Sequence, residues 1–145
     1  MKLIKIEGTL HSFDGQLTWP NPIDLALAVD RGAYIQLRVA PNGYDMLVLR
    51  EPLQEPVYMA EYGHTEIHDV TERLDPSLRE AELDALVSIQ DAAERVIGVA
   101  LIRKQTEPYC IWVDGDELIF GGLSALEAWF ESGPVRPKLG GAMRL

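Results

Sequence analysis

A chain of 145 residues, 47% hydrophobic and 25% charged, has the make-up of one globular domain, 1–145, and not of a disordered or fibrous chain. Roughly 68–70% of the unfolded surface can be buried at this size, and the one cysteine, Cys110, cannot close an internal disulfide. The net charge of −10 opposes phosphate backbones and anionic membranes, so nucleic acid and membrane are set aside as partners and a basic protein surface is favoured.

The chain opens with "MKLIKIEGTL", whose alternation puts Ile4 and Ile6 on one face of a strand. Glu7 interrupts it before the apolar core of a signal peptide could develop. No apolar run of about 18 residues follows that could cross a bilayer, so the expected location is the cytoplasm. "FDGQLTWPNP" is a turn-rich connection in which Trp19 is expected to plug an edge of the core.

Three short apolar runs occupy 23–50, the last two joined through Asn42-Gly43, a strong hairpin signal because both residues accept positive φ. Pairing across that turn sets Val39 opposite Met46, Arg38 opposite Leu47, Leu37 opposite Val48 and Gln36 opposite Leu49.

Beyond the proline-bounded "EPLQEP", Ser77 and Glu80 have the spacing of a capping box after Asp75-Pro76, which predicts a helix over about 76–88 burying Leu78, Ala81, Ala85 and Leu86. "VIGVALIRK" reads as a strand. A second hairpin turns at Asp114-Gly115 and places Ile111 opposite Leu118 and Tyr109 opposite Phe120. A final helix over about 124–132 is capped by Ser124 and Glu127 and stopped by Gly133-Pro134. Residues 133–145 are expected to form a loosely packed tail. The whole is an α+β fold, mainly an antiparallel sheet of about six or seven strands in a hairpin meander, with two helices.

Chemistry is concentrated in "GHTEIHDVTE". In a strand, His64, Glu66 and His68 share a face, and two imidazoles with a carboxylate make a ligand set suited to zinc or iron. The competing reading is a solvated acidic edge strand or loop, with no cofactor. His11 lies near Asp14, as a base and its orienter could, or as an exposed turn histidine. Cys110 has no adjacent base to activate it and reads as a buried, inert thiol. Asp114, Asp116 and Glu117 cluster at a hairpin tip, where turn chemistry accounts for Asp-Gly. Gly121-Gly122 precedes a helix without a phosphate-loop lysine, and no serine sits in a nucleophile elbow. No catalytic residue is assigned, and an enzyme is the less favoured class.

Charge is uneven. Residues 51–132 hold eighteen acids against five bases, and between Glu61 and Glu94 only Arg73 and Arg79 oppose ten acids. The leading expectation is a non-enzymatic acidic domain that binds a basic protein through Glu61, Glu66, Asp69 and Glu72, with Tyr58, Tyr62 or Trp112 as aromatic anchor. Its most concrete form is a bacterial immunity or antidote protein that neutralises a basic toxin such as a nuclease. The alternatives are a small metal-binding domain or metalloenzyme on His64, Glu66 and His68, and a self-associating or ligand-sensing domain, a homo-oligomer in which the face around Cys110 and Trp112 meets a second copy.

Overall fold

The computed structural model describes residues 1–144 of the chain. The elements in order are β1 (Lys2–Phe13), β2 (Gln16–Leu17), β3 (Asp24–Val29), β4 (Ala33–Val39), β5 (Met46–Leu49), β6 (His64–Asp69), α1 (Thr71–Leu74), β7 (Ala81–Gln90), β8 (Val96–Arg103), β9 (Tyr109–Asp114), β10 (Glu117–Gly122), α2 (Leu123–Phe130) and β11 (Lys138–Ala142). Among the described residues there are thus eleven strands, all antiparallel in their pairings, and two helices. The α+β, mainly antiparallel architecture matches the reading of the sequence, but the strand count exceeds the six or seven expected.

The strand order is β10-β9-β8-β7-β1-β3-β4-β5. β1 is the hinge of the design. One of its edges takes β3 through Leu3–Thr9, while the other takes β7 at Lys2–Leu3 and then β6 at Glu7–Ser12. β7 repeats the device, giving the edge that meets β1 at Ala81–Glu82 to β11 at Val87–Gln90. Two meanders, β3-β4-β5 and β7-β8-β9-β10, fold from this seam over one core. Leu25, Leu27 and Leu37 from the first meet Leu86, Val99, Leu101 and Ile111 from the second. Period-two alternation on β9 divides its side chains: Tyr109, Ile111 and Val113 face that core, whereas Cys110 and Trp112 face a smaller one roofed by Leu126 and Phe130 of α2. Trp19 packs at the rim of the main core against Phe120, ring centroids 5.7 Å apart.

The first hairpin has the predicted register from Val39↔Met46 to Gln36↔Leu49. Its loop is wider than two residues, because the Asn42 carboxamide oxygen accepts from the N–H groups of Tyr44 (2.9 Å) and Asp45 (3.0 Å). The second hairpin turns one residue later than predicted, at Gly115 (φ 58°) and Asp116 (φ 67°), so Ile111 pairs with Phe120 and Val113 with Leu118. A one-residue shift of the turn moves the register by two and leaves every side chain on its predicted face.

The helix predicted over 76–88 is not formed. Asp75, not Ser77, does the capping: its carboxylate accepts from the Ser77 N–H (2.9 Å) and hydroxyl (2.7 Å), closing a single 3₁₀ turn at Pro76–Leu78. Glu80 then takes φ 57°, which ends any helical path, and 81–90 becomes β7. In that strand Leu83 and Leu86 reach the core while Glu82 and Asp84 stay exposed, and the ladder to β8 decides against a helical propensity that is only locally favourable.

The C-terminal helix starts one residue before Ser124, so the Ser124–Glu127 box is not used. The Glu107 carboxylate instead accepts from the Ser124 N–H (3.2 Å) and hydroxyl (3.2 Å). The segment 133–145, expected as a loose tail, carries β11, and the Met143 N–H reaches the Leu86 carbonyl at 2.7 Å.

Candidate functional site

β6 is extended, as the metal reading required. Its ladder with β1 sets His64 opposite Ser12, Glu66 opposite Leu10 and His68 opposite Gly8. Directly opposed residues share a face of the sheet, so the three side chains stand on the face that, at Leu10, is core. They lie at its open rim, with side chains between 37% and 45% exposed. His64 Nε2–H donates to Glu66 Oε2 at 2.8 Å and His68 Nε2–H to Glu66 Oε1 at 3.0 Å. An ionised carboxylate only accepts, so this arrangement puts a proton on both Nε2 atoms. The two bonds, from His68 first and His64 second, hold the Glu66 carboxyl below its ordinary pKa. The carboxylate is therefore already occupied by two ring N–H groups, and no set of three His, Cys, Asp or Glu in a metal-holding arrangement occurs among the described residues.

The chain just before β6 continues the sheet edge. The Thr65 N–H donates to the Val57 carbonyl (2.9 Å), the Val57 N–H to the Thr65 hydroxyl (2.7 Å) and the Met59 N–H to the Gly63 carbonyl (2.8 Å), with Tyr58 bridging to His64. A 3₁₀ turn at Ala60–Tyr62 closes this small hairpin. It is pinned to β1 twice. His11 Nε2–H donates to the Tyr62 carbonyl, and Gly63, at φ +91°, lies so close to the Ser12 carbonyl that a Cβ would overlap it. Phe13 stacks on His11 with ring centroids 6.5 Å apart. The pinned loop lifts two aromatic rings into solvent on either side of Glu61: Tyr58 is 81% and Tyr62 69% exposed.

The remaining expected partner-binding residues are engaged within the chain. Arg79 closes a fork on Asp69 and Glu72, with Nη2 at 2.8 Å from Asp69 Oδ2 and 2.6 Å from Glu72 Oε2. Partial burial pushes the Asp69 pKa up, but bonds from the Thr71 hydroxyl and N–H and from Arg79 outweigh it, and the net shift is downward. The Arg79 bond lowers Glu72, and the same pairing raises the guanidinium. Asp75 is bound to Ser77, and Asp91 to Arg95 at 3.0 Å. The acids of 61–94 are thus less a uniform docking field than the sequence suggested: Glu66, Asp69, Glu72, Asp75 and Asp91 have internal partners. Tyr58, Glu61 and Tyr62 remain presented to solvent. The pairing of Arg79 with Asp69 and Glu72 is what sequence reading passed over; being one of two bases among ten acids was the signal.

His11 commits its Nε2 proton to a backbone carbonyl, and no hydrogen bond joins it to Asp14 among the described residues. Cys110 is fully buried, and desolvation, with smaller effects of Glu107 and Glu127, pushes its thiol up to about 12. The Cys110–Trp112 face, expected to meet a second copy, is covered by α2 of the same chain, and Trp112 is 1% exposed. No helix among the described residues is long and apolar enough to cross a membrane. Comparison with family models, curated proteins and solved structures finds no match to this chain.

Proposed function

We propose that this chain is a non-enzymatic acidic domain that binds a basic protein through the face carrying Tyr58, Glu61 and Tyr62. One observation supports this reading above the rest: two tyrosines, 81% and 69% exposed, held on a loop that is tied to β1 at both His11 and Gly63. Exposed aromatics on a fixed backbone give large contact area with little entropy lost on binding, and they are the residues that anchor interfaces. Net charge of −10 speeds encounter with a cationic surface and disfavours acidic ones. The most concrete form is an antidote that covers the substrate face of a basic toxin such as a bacterial nuclease, where carboxylates stand in for phosphates.

The test is co-expression with the product of the adjacent reading frame. A basic product that co-purifies, and whose toxicity this chain relieves, supports the reading. A triple variant, Tyr58→Ala, Glu61→Lys and Tyr62→Ala, then loses capture while its melting temperature stays unchanged. An acidic neighbour, or capture that survives the triple variant, overturns it.

A second reading, zinc or iron held by His64, Glu66 and His68, draws on the convergence of those three side chains on one strand face. It requires the metal to displace both Nε2 protons from the carboxylate. A melting temperature that rises with zinc and falls with chelator supports it, and one that moves with neither sinks it.

A further inference from the structure

β10 ends the strand order, and its outer edge has no partner among the described residues. Such an edge presents a row of unpaired N–H and C=O groups, and chains that avoid edge pairing blunt it with lysine, proline or a bulge. β10, "ELIFGG", has no lysine, proline or bulge, and its one charge, Glu117, stands at the turn end of the strand. Along the edge runs a groove of about 340 Å³, within the size range of functional clefts.

The groove wraps the edge and does not lie on one face. Ile119 and Trp129 line it from the α2 side, Leu118 and Phe120 from the side of the main core, and Pro20-Asn21 forms a further wall. Successive side chains of an incoming strand point alternately to the two faces of a sheet, so both flanks of this groove would be used by one extended segment. Trp129, 48% exposed, is held in place by donating its indole N–H to Asp114 at 2.7 Å.

The charge within the groove is negative, although Arg38 lines the adjoining cleft with Asp116 and Glu117, and Arg95 another with Asp114. Glu117 lines the groove, Asp114 and Asp116 stand at its turn end, and none of the three has an ion-pair partner among the described residues. No base lines the groove.

We propose that the free edge of β10 is a docking site for an extended, basic segment of a partner protein, which adds as a strand. It places apolar side chains at successive positions against Trp129 on one flank and Phe120 on the other, with cations to either side near Asp114, Asp116 and Glu117. Main-chain bonds supply affinity and the flanking pockets supply preference, as in other cases of strand addition. A second copy of this chain fits less well, because it brings the same net charge of −10 to the contact. The surface is carried by residues other than Tyr58, Glu61 and Tyr62, and it stands or falls separately from the function proposed on them.

The probe is a fluorescein-labelled heptapeptide, a central valine-phenylalanine-valine flanked by two lysines on each side, so that apolar side chains reach both flanks; it is titrated into the full chain at low salt. Anisotropy should rise to saturation, with amide shifts confined to Glu117–Gly122 and the Trp129 indole. Trp129→Ala and Glu117→Lys should each weaken binding about tenfold, the loss typical of an interface anchor. A peptide with proline at its centre, unable to complete the ladder, should bind at least about tenfold more weakly as well. No saturable binding, a proline peptide that binds as tightly as its parent, or shifts centred on Tyr58–His68 would each overturn the proposal. Sedimentation that shows a dimer broken by Glu117→Lys would overturn it too, by assigning the edge to a second copy.

Discussion

Thr71 offers the sharpest test of how β6 and α1 are tied to the core. Its side chain is fully buried. The hydroxyl accepts from the Ile6 N–H at 2.8 Å and donates to Asp69 Oδ1 at 2.7 Å. Thr71→Val keeps the shape and removes both bonds. The Ile6 N–H is then left buried without a partner, which costs about 1–3 kcal/mol. The Asp69 carboxylate is partly exposed and retains Arg79 and the Thr71 N–H, so its loss adds no more than about 1 kcal/mol. A total of about 1–4 kcal/mol, divided by a urea m-value of about 2 kcal/mol/M, the middle of the range for small proteins, lowers the unfolding midpoint by about 0.5–2 M. Thr71→Ser keeps the hydroxyl and deletes one methyl, for about 1 kcal/mol. Urea unfolding of the three proteins, with hydrogen exchange at Ile6, separates the cases: protection at that amide should persist in the serine variant and vanish in the valine one. A valine variant within about 0.5 kcal/mol of the parent would refute the reasoning, as would a serine variant just as damaged.

Acid should destabilise the fold. Glu66, Asp69, Glu72, Asp75 and Asp91 all titrate below their ordinary values when folded. Their contribution is present above the unfolded pKa and is lost as pH falls through the folded one, so the urea midpoint should drop below about pH 5. Asp24, raised by burial despite Arg38, works in the opposite direction, and a flat midpoint down to about pH 3 would contradict the net sign. Within that set, carboxyl carbon NMR should place Glu66 closer to its ordinary titration in His68→Ala and in His64→Ala, and nearest in the double variant; an unmoved Glu66 would remove the imidazoles as its cause. Cys110 should resist iodoacetamide in the native protein at about pH 8 and react once denatured, since its thiolate is scarce and shielded; native labelling at the denatured rate would refute its burial. Gly63→Ala forces a side chain into a glycine-only region and onto the Ser12 carbonyl, at a cost of about 1–3 kcal/mol from the backbone alone. A lower melting temperature and lost exchange protection around 57–65 are expected, and an unchanged protein would show that the loop is not pinned there.

What could be read from the sequence was what local chemistry decides. The hairpin at Asn42-Gly43 and the faces of β9 and β10 follow from turn residues and alternation, and the structure keeps both. The helix assigned to 76–88 failed because "AELDALVSI" satisfies a helical period and a strand period together. The arbiter is pairing outside the segment itself, with the next strand, β8, and with β1 some eighty positions away. The short strands β2 and β11 escaped notice for a related reason: "KLGGA" has no strand pattern of its own and is extended because β7 has an edge to fill. At the candidate site, the common face of His64, Glu66 and His68 was legible from spacing. That Glu66 would be consumed by both rings, and Asp69 and Glu72 by Arg79, was not, since charge counts carry no information about which neighbours pair.

The shared strand β1 also shapes how the chain must fold. Its second edge waits for partners some fifty to eighty positions later, at β6 and β7, so closure is governed by distant encounters, the topological regime of slow folders. A nascent chain that has emerged only as far as residue 62 holds β1, β3, β4 and β5 with half of a ribbon still bare. Such an intermediate has every reason to stick to its neighbours on the ribosome, and its safe passage depends on the rest of the polypeptide arriving before they do.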